Sequence, residues 1–197
     1  MDNLRHCIAV VLLLVAPGMY FWWYSIHPFI RFWKKVGPRR TLAIHLGLVI
    51  ALAIWMYQVR QPLLSTEYGT NWALILLAIP LYAVPLFVLV VALLNPSYRQ
   101  PRIRVLLGLS ELAPEIYKTR LITTGFYSRL RHPRYVLVLI FLLASALVCN
   151  YLVTYVIFLS SLIWVLLLVR IEEKELRERF GSEYEQYCAQ VPRFWPW

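Results

Sequence analysis

The chain has 197 residues, 60% of them hydrophobic and only 15% charged, with a mean hydropathy of +0.61. A soluble domain is nearer half apolar and a quarter charged, so this composition excludes a water-soluble globule; the long apolar runs lack the period-two alternation of a membrane barrel. Twenty Lys and Arg against ten Asp and Glu give a formal charge of +10, but the cations gather in loops beside apolar runs. That pattern is the positive-inside bias of a membrane protein facing anionic headgroups, and no nucleic-acid recognition motif competes with it.

Residues 7–24 form the first apolar run, closing on the rings of Tyr20, Phe21, Trp22, Trp23 and Tyr24. Aromatic residues suit the membrane interface, so the run reads as a retained span and not a cleaved leader. The next loop carries Arg31, Lys34, Lys35, Arg39 and Arg40 and no acid. It is therefore assigned to the cytoplasmic side, which leaves the N-terminus outside. Residues 41–59 make the second span, with His45 alone inside it; a neutral imidazole bonded to a neighbouring helix is the expectation, not a metal ligand. The loop 60–70 balances Arg60 against Glu67 and fits the outer face. The third span, 71–94, holds Pro80 and Pro85 and is expected to kink.

Residues 95–134 are polar and basic, cytoplasmic by the same bias, with an interfacial segment expected around 101–112. Two further apolar runs, 133–149 and 151–169, meet at Asn150. At about 1.5 Å per residue they descend and return by roughly 25 and 28 Å, barely the thickness of a bilayer core. The residues near 132 and near 171 therefore arrive side by side. Beyond them Leu176, Phe180, Tyr184, Tyr187 and Val191 recur at helical spacing as one apolar stripe. Gly181 is expected to break this helix, with Ser182 and Glu185 forming a capping box. The fold class is thus an all-α integral membrane protein of about five spans, its C-terminus cytoplasmic and amphipathic. No low-complexity linker interrupts it, and it divides into N-terminal spans (1–100) and a core (101–197). Cys7, Cys149 and Cys188 show neither a CxxC nor a metal-ligand spacing, so neither a disulfide nor a metal centre is expected.

The stretch Leu121 to Tyr135 carries the chemistry. Pro133 favours the first turn of a helix, which makes His132 its N-cap neighbourhood; free N–H groups there, with Arg129 and Arg131, attract an anion. The hairpin brings Glu172 and Glu173 opposite. Cations and donors facing carboxylates suit a zwitterionic ligand bearing a carboxylate, an ammonium group and hydroxyls.

The pattern Gly125-Phe126-Tyr127, Arg131-His132-Pro133-Arg134-Tyr135, then Glu172-Glu173, Leu176, Phe180-Gly181, Tyr184, Tyr187 and Val191-Pro192-Arg193 resembles the isoprenylcysteine carboxyl methyltransferase family over roughly residues 105–196. Phospholipid N-methyltransferases and sterol C14 reductases share a similar cofactor core. The resemblance implies S-adenosylmethionine as methyl donor, a lipophilic acceptor entering from the bilayer, and an active site facing the cytoplasm. Carried over, Leu121, Ile122, Thr124, Gly125 and Tyr127 would line the adenosine side. Arg131, His132, Tyr135, Glu172 and Glu173 would hold the amino-acid portion. Arg170 would orient a carboxylate acceptor; Glu173 or His132 would serve as base for an amine acceptor. Two departures stand out: Leu137, where the family often has glycine, and Arg170, closer to the Glu pair than the family's usual basic residue. The competing readings are an NADPH-dependent reductase acting on a sterol or isoprenoid, and a non-enzymatic lipid-binding protein of the same fold.

Overall fold

The computed structural model describes residues 1–94 and 120–194. The interfacial segment expected at 101–112 lies outside them, as does the boundary between residues 100 and 101. The described residues are helical, with one isolated bridge between Glu67 and Tyr151. In an apolar solvent each backbone N–H and C=O needs an internal partner, and a helix supplies it from within one segment.

The helices are α1 (Asp2–Ile26), α2 (Ile30–Val36), α3 (Pro38–Gln58), α4 (Arg60–Leu63), α5 (Trp72–Leu94), α6 (Pro133–Cys149), α7 (Leu152–Phe180) and α8 (Ser182–Gln190). Among the described residues four of them, α1, α3, α5 and α7, are long and apolar enough to cross a membrane. The fifth expected span, α6, has 17 residues and falls short of that length. It lies against α5, α7 and α1. The third span, α5, runs as one helix through Pro80 and Pro85.

α1 is the hub, packing on α3, α6 and α7. Small residues set its approach to α3: a Cβ on Gly18 would stand 2.9 Å from Val49 Cγ1. Tyr82 joins α5 to α6 by donating to Ser145 Oγ at 2.8 Å, and Tyr20 bonds Ser161 across α1 and α7. The main core gathers Ala9, Leu12, Leu13, Ala16, Leu142 and Ile157.

Asn150 takes the left-handed conformation (φ 55°) that reverses the chain between α6 and α7, as a short polar side chain allows. Its amide donates to Gly69 O at 2.9 Å, and its own carbonyl accepts from Tyr68 N–H at 3.0 Å. The C-terminus of α6 is closed by Arg5, fully buried, whose Nε and Nη2 both donate to Cys149 O at 3.0 and 2.8 Å. Glu67, expected to balance Arg60, pairs with Arg5 at 3.0 Å, and Arg60 donates to Tyr57 O instead. His45 also differs: Nδ1 lies 2.8 Å from Thr41 O of its own helix, with Trp22 and Trp33 packed on the ring.

At the opposite end of the bundle α7 outruns its apolar stretch. Its 29 residues span about 43 Å, so the polar part from Arg170 to Phe180 projects beyond a bilayer core of about 30 Å. Gly181 (φ 53°) breaks the helix as expected, but it is itself the N-cap of α8, and no side-chain cap bond forms there. The positive-φ glycine already reverses the chain, so the capping box at Ser182 and Glu185 is not needed. The apolar stripe of the tail closes on itself: Tyr184, Tyr187 and Val191 pack with Leu121, Leu176 and Phe180.

Candidate functional site

His132 is the N-cap of α6, with Pro133 at the first helical position. Two long-range backbone bonds fix it: Arg131 N–H donates to Pro192 O at 2.9 Å and His132 N–H to Arg193 O at 3.2 Å. The tail after α8 is thereby laid along the entry to α6. Gly125 (φ 65°) opens a short 3-10 turn over Gly125–Ser128, and Tyr187 donates its hydroxyl to Tyr127 O at 2.6 Å. The segment before this turn is non-helical, with Leu121 packed under α8.

The hairpin brings the two clusters together. His132 Nε2 lies 3.1 Å from Glu173 Oε1, and Nδ1 lies 3.6 Å from Glu172 Oε2. Glu173 is fully buried and carries more cations than the sequence assigned to it. Arg131 Nε reaches its Oε1 at 3.2 Å, Arg193 Nε reaches the same oxygen at 3.0 Å, and Arg177 approaches Oε2 at 3.7 Å. Arg131 is tied further to the Cys188 and Val191 carbonyls, at 3.0 and 2.7 Å.

Burial by itself would raise both carboxyls and lower the imidazole. The His132 contact with Arg193 and Arg131 wins at Glu173 and holds it far below the ordinary carboxylate range. At Glu172, His132 and Arg134 bring the value down to about 2. Reciprocally, the two carboxylates raise His132 above its ordinary value. The cluster is therefore an ionised network in which charge-assisted bonds satisfy Glu173.

Glu172 differs from its neighbour. Its Oε2 is buried and accepts no hydrogen bond, and its Oε1 is 3.9 Å from Arg134. Arg134 in turn lies over the Trp23 and Tyr135 rings, 5.1 Å from each centroid. Beside Glu172 a cavity of about 320 Å³ opens between α2 and α7, lined by Lys34, Glu175, Glu178 and Arg179 among others. On the membrane side of Arg134 and Tyr135 an apolar cavity of about 70 Å³ reaches Trp23 and Trp164. It shares Tyr20 and Trp164 with a groove of about 380 Å³ between α1 and α7.

Of the residues singled out from sequence, Arg131, His132, Tyr135, Glu172 and Glu173 converge here. Leu121 and Tyr127 support the tail, while Ile122 is exposed and Thr124 and Gly125 form the turn. Arg170 is exposed and stands outside the network. Arg177 stands one helical turn after Glu173, its guanidinium 3.7 Å from Oε2. Arg193 holds Glu173 from the far end of the core, and His27 meets Glu175 at 2.9 Å. Neither partnership has a local signal, since both pair residues on different segments.

Residues 111–183, a little over a third of the chain, match the family model described as phospholipid methyltransferase, the family related to isoprenylcysteine carboxyl methyltransferases. The matched stretch contains His132, Tyr135, Glu172 and Glu173. No curated protein and no solved structure matches the chain.

Proposed function

From a phospholipid-methyltransferase-type domain set among membrane-length helices, we propose that the protein is an integral membrane methyltransferase that uses S-adenosylmethionine to methylate a lipophilic acceptor. The observation that carries this reading is the meeting of His132 with Glu172 and Glu173 inside the matched segment. Glu172 offers the fit to the cofactor: a buried carboxylate oxygen without a hydrogen bond is what an ammonium group would satisfy. Glu173, already ringed by cations, holds Arg131, His132 and Arg193 in place and is a positioning residue. The turn at Thr124–Tyr127 and the extended chain before it would border the adenosine side.

The bound cofactor supplies an electrophilic methyl group, and the rest of the work is alignment. The apolar path between α1 and α7 that ends at Arg134 and Tyr135 suits an acceptor whose chain stays in the bilayer. Arg134, half-buried against Trp23 and Tyr135, is better placed than Arg170 to face an anionic acceptor head. A carboxylate acceptor needs no base, and orientation with partial desolvation supplies the acceleration. The depressed Glu173 carboxyl is a poor proton acceptor, which favours such an acceptor over a charged amine. The reaction face is assigned to the cytoplasm from the basic loop 31–40 at the same end of the bundle.

The test is equilibrium binding of S-adenosylmethionine to detergent-purified protein by calorimetry. Micromolar binding, lost in Glu172→Ala and His132→Ala and kept in Arg170→Ala, is expected. Binding of NADPH in its place would move the chain to the reductase reading, and binding of neither to a non-enzymatic lipid binder.

A further inference from the structure

Between Asp2 and Glu67 the chain contains no acidic residue, yet α2 and the first turn of α3 concentrate Arg31, Lys34, Lys35, Arg39 and Arg40 within ten positions. All five are exposed, and among the described residues none has an ion-pair partner. Lys34 is the one that also borders the cavity lined by Glu172, Glu175 and Glu178; the other four cations are not among the lining residues. The short helix α2 that bears three of them is anchored by Trp33. Its Nε1–H donates to Ser25 O at 2.7 Å, and its ring meets His45 edge-on, 4.5 Å between centroids. Phe29 and Phe32, by contrast, are 60% and 57% exposed.

A fixed strap with outward-facing rings and cations that form no ion pair among the described residues, set where two membrane-length helices end, suits an anionic headgroup layer. Rings of this kind settle at the headgroup level, and each Lys or Arg near an anionic leaflet gains about 1 kcal/mol. We propose that residues 29–40 form a docking surface for anionic phospholipid headgroups, which gather around this end of the protein in preference to zwitterionic lipid. The surface lies on the side of the bundle where His27 meets Glu175, so the reaction face described above is the one turned toward the anionic leaflet. The inference stands on charge and exposure and does not depend on the methyltransferase reading.

The experiment reconstitutes the whole chain in phosphatidylcholine bilayers. It compares spin-labelled phosphatidylglycerol with spin-labelled phosphatidylcholine in the motionally restricted shell. Phosphatidylglycerol should be enriched roughly threefold at low salt, with the preference shrinking as the Debye length falls below about 8 Å. The combined variant R31Q/K34Q/K35Q/R39Q/R40Q should bring the ratio close to one. The charge-keeping variant R31K/R39K/R40K and the far-end variant Arg60→Gln should both retain the preference. Absence of selectivity in the natural chain, its survival in the neutralised variant, or its loss in either control would overturn the proposal.

Discussion

His132 Nε2 and Glu173 Oε1 stand 3.1 Å apart although 41 positions separate the two residues, and neither is more than 4% exposed. Each holds the other in its charged form, which ties stability to pH in two directions. Glu172 and Glu173 have lowered values, so their contribution is present above the ordinary carboxyl value of 4.5 and drains away as pH falls toward about 2 for Glu172. His132 has a raised value, so its contribution is complete below 6.5 and is lost as pH climbs through the higher folded-state value. Thermal unfolding in detergent should therefore show a plateau between about 4.5 and 6.5, with limbs falling on both sides. His132→Gln should flatten the alkaline limb and also shrink the acid limb, because His132 helps hold both carboxyls down; an unchanged alkaline limb would sink the assignment.

Glu173→Gln removes a buried charge that faces Arg131, His132 and Arg193 together. Breaking one side of such a network leaves desolvated cations behind, at a cost of about 3 kcal/mol. Glu172→Gln, at a side chain 21% exposed, should be far milder in the same denaturant titration. Equal losses in the two variants would contradict the division between a positioning and a ligand-facing carboxylate.

Arg5 makes a comparable prediction at the far end of the bundle. Arg5→Met would keep most of the packing volume but leave the Cys149 carbonyl and Glu67 without their donor. A loss of about 2 kcal/mol is expected, within the range for an unsatisfied buried acceptor. Hydrogen exchange should localise the loosening to residues 64–70 and 149–152, with α3 unaffected.

Gly18 sets the distance between α1 and α3. Gly18→Leu drives a side chain into Val49 and should destabilise by about 1–3 kcal/mol, the usual range for overpacking. Gly18→Ala combined with Val49→Ala should recover much of the deficit of Gly18→Ala alone. A double mutant that is merely additive would show that the helices are not in contact there.

The architecture was legible where a local pattern carries it. Apolar runs located α1, α3, α5 and the two arms of the hairpin, and Pro133 marked the start of α6. Length alone placed His132 beside the Glu pair, because two short antiparallel arms must return to the same level. What stayed hidden is pairing across distant segments. Arg5 is the fourth residue of α1, ahead of the apolar run 7–24, and no local pattern points to Cys149 as its partner. Arg193 lies in the tail, and nothing near it in sequence names Glu173 as its partner. Ser182 shows the opposite failure: the local capping signal is present, and the left-handed Gly181 makes it redundant. Arg170 has a clear place in the sequence pattern, but the structure leaves it exposed and outside the ion pairs around Glu172 and Glu173.

The tail segment 192–193 closes the site from a distance in sequence. Its carbonyls receive the Arg131 and His132 amides, and its guanidinium completes the charge around Glu173. Without residues 192 and 193, Glu173 would keep His132, Arg131 and Arg177 but lose Arg193. A chain cut before residue 192 would therefore keep the α6–α7 hairpin while leaving its polar end open to water.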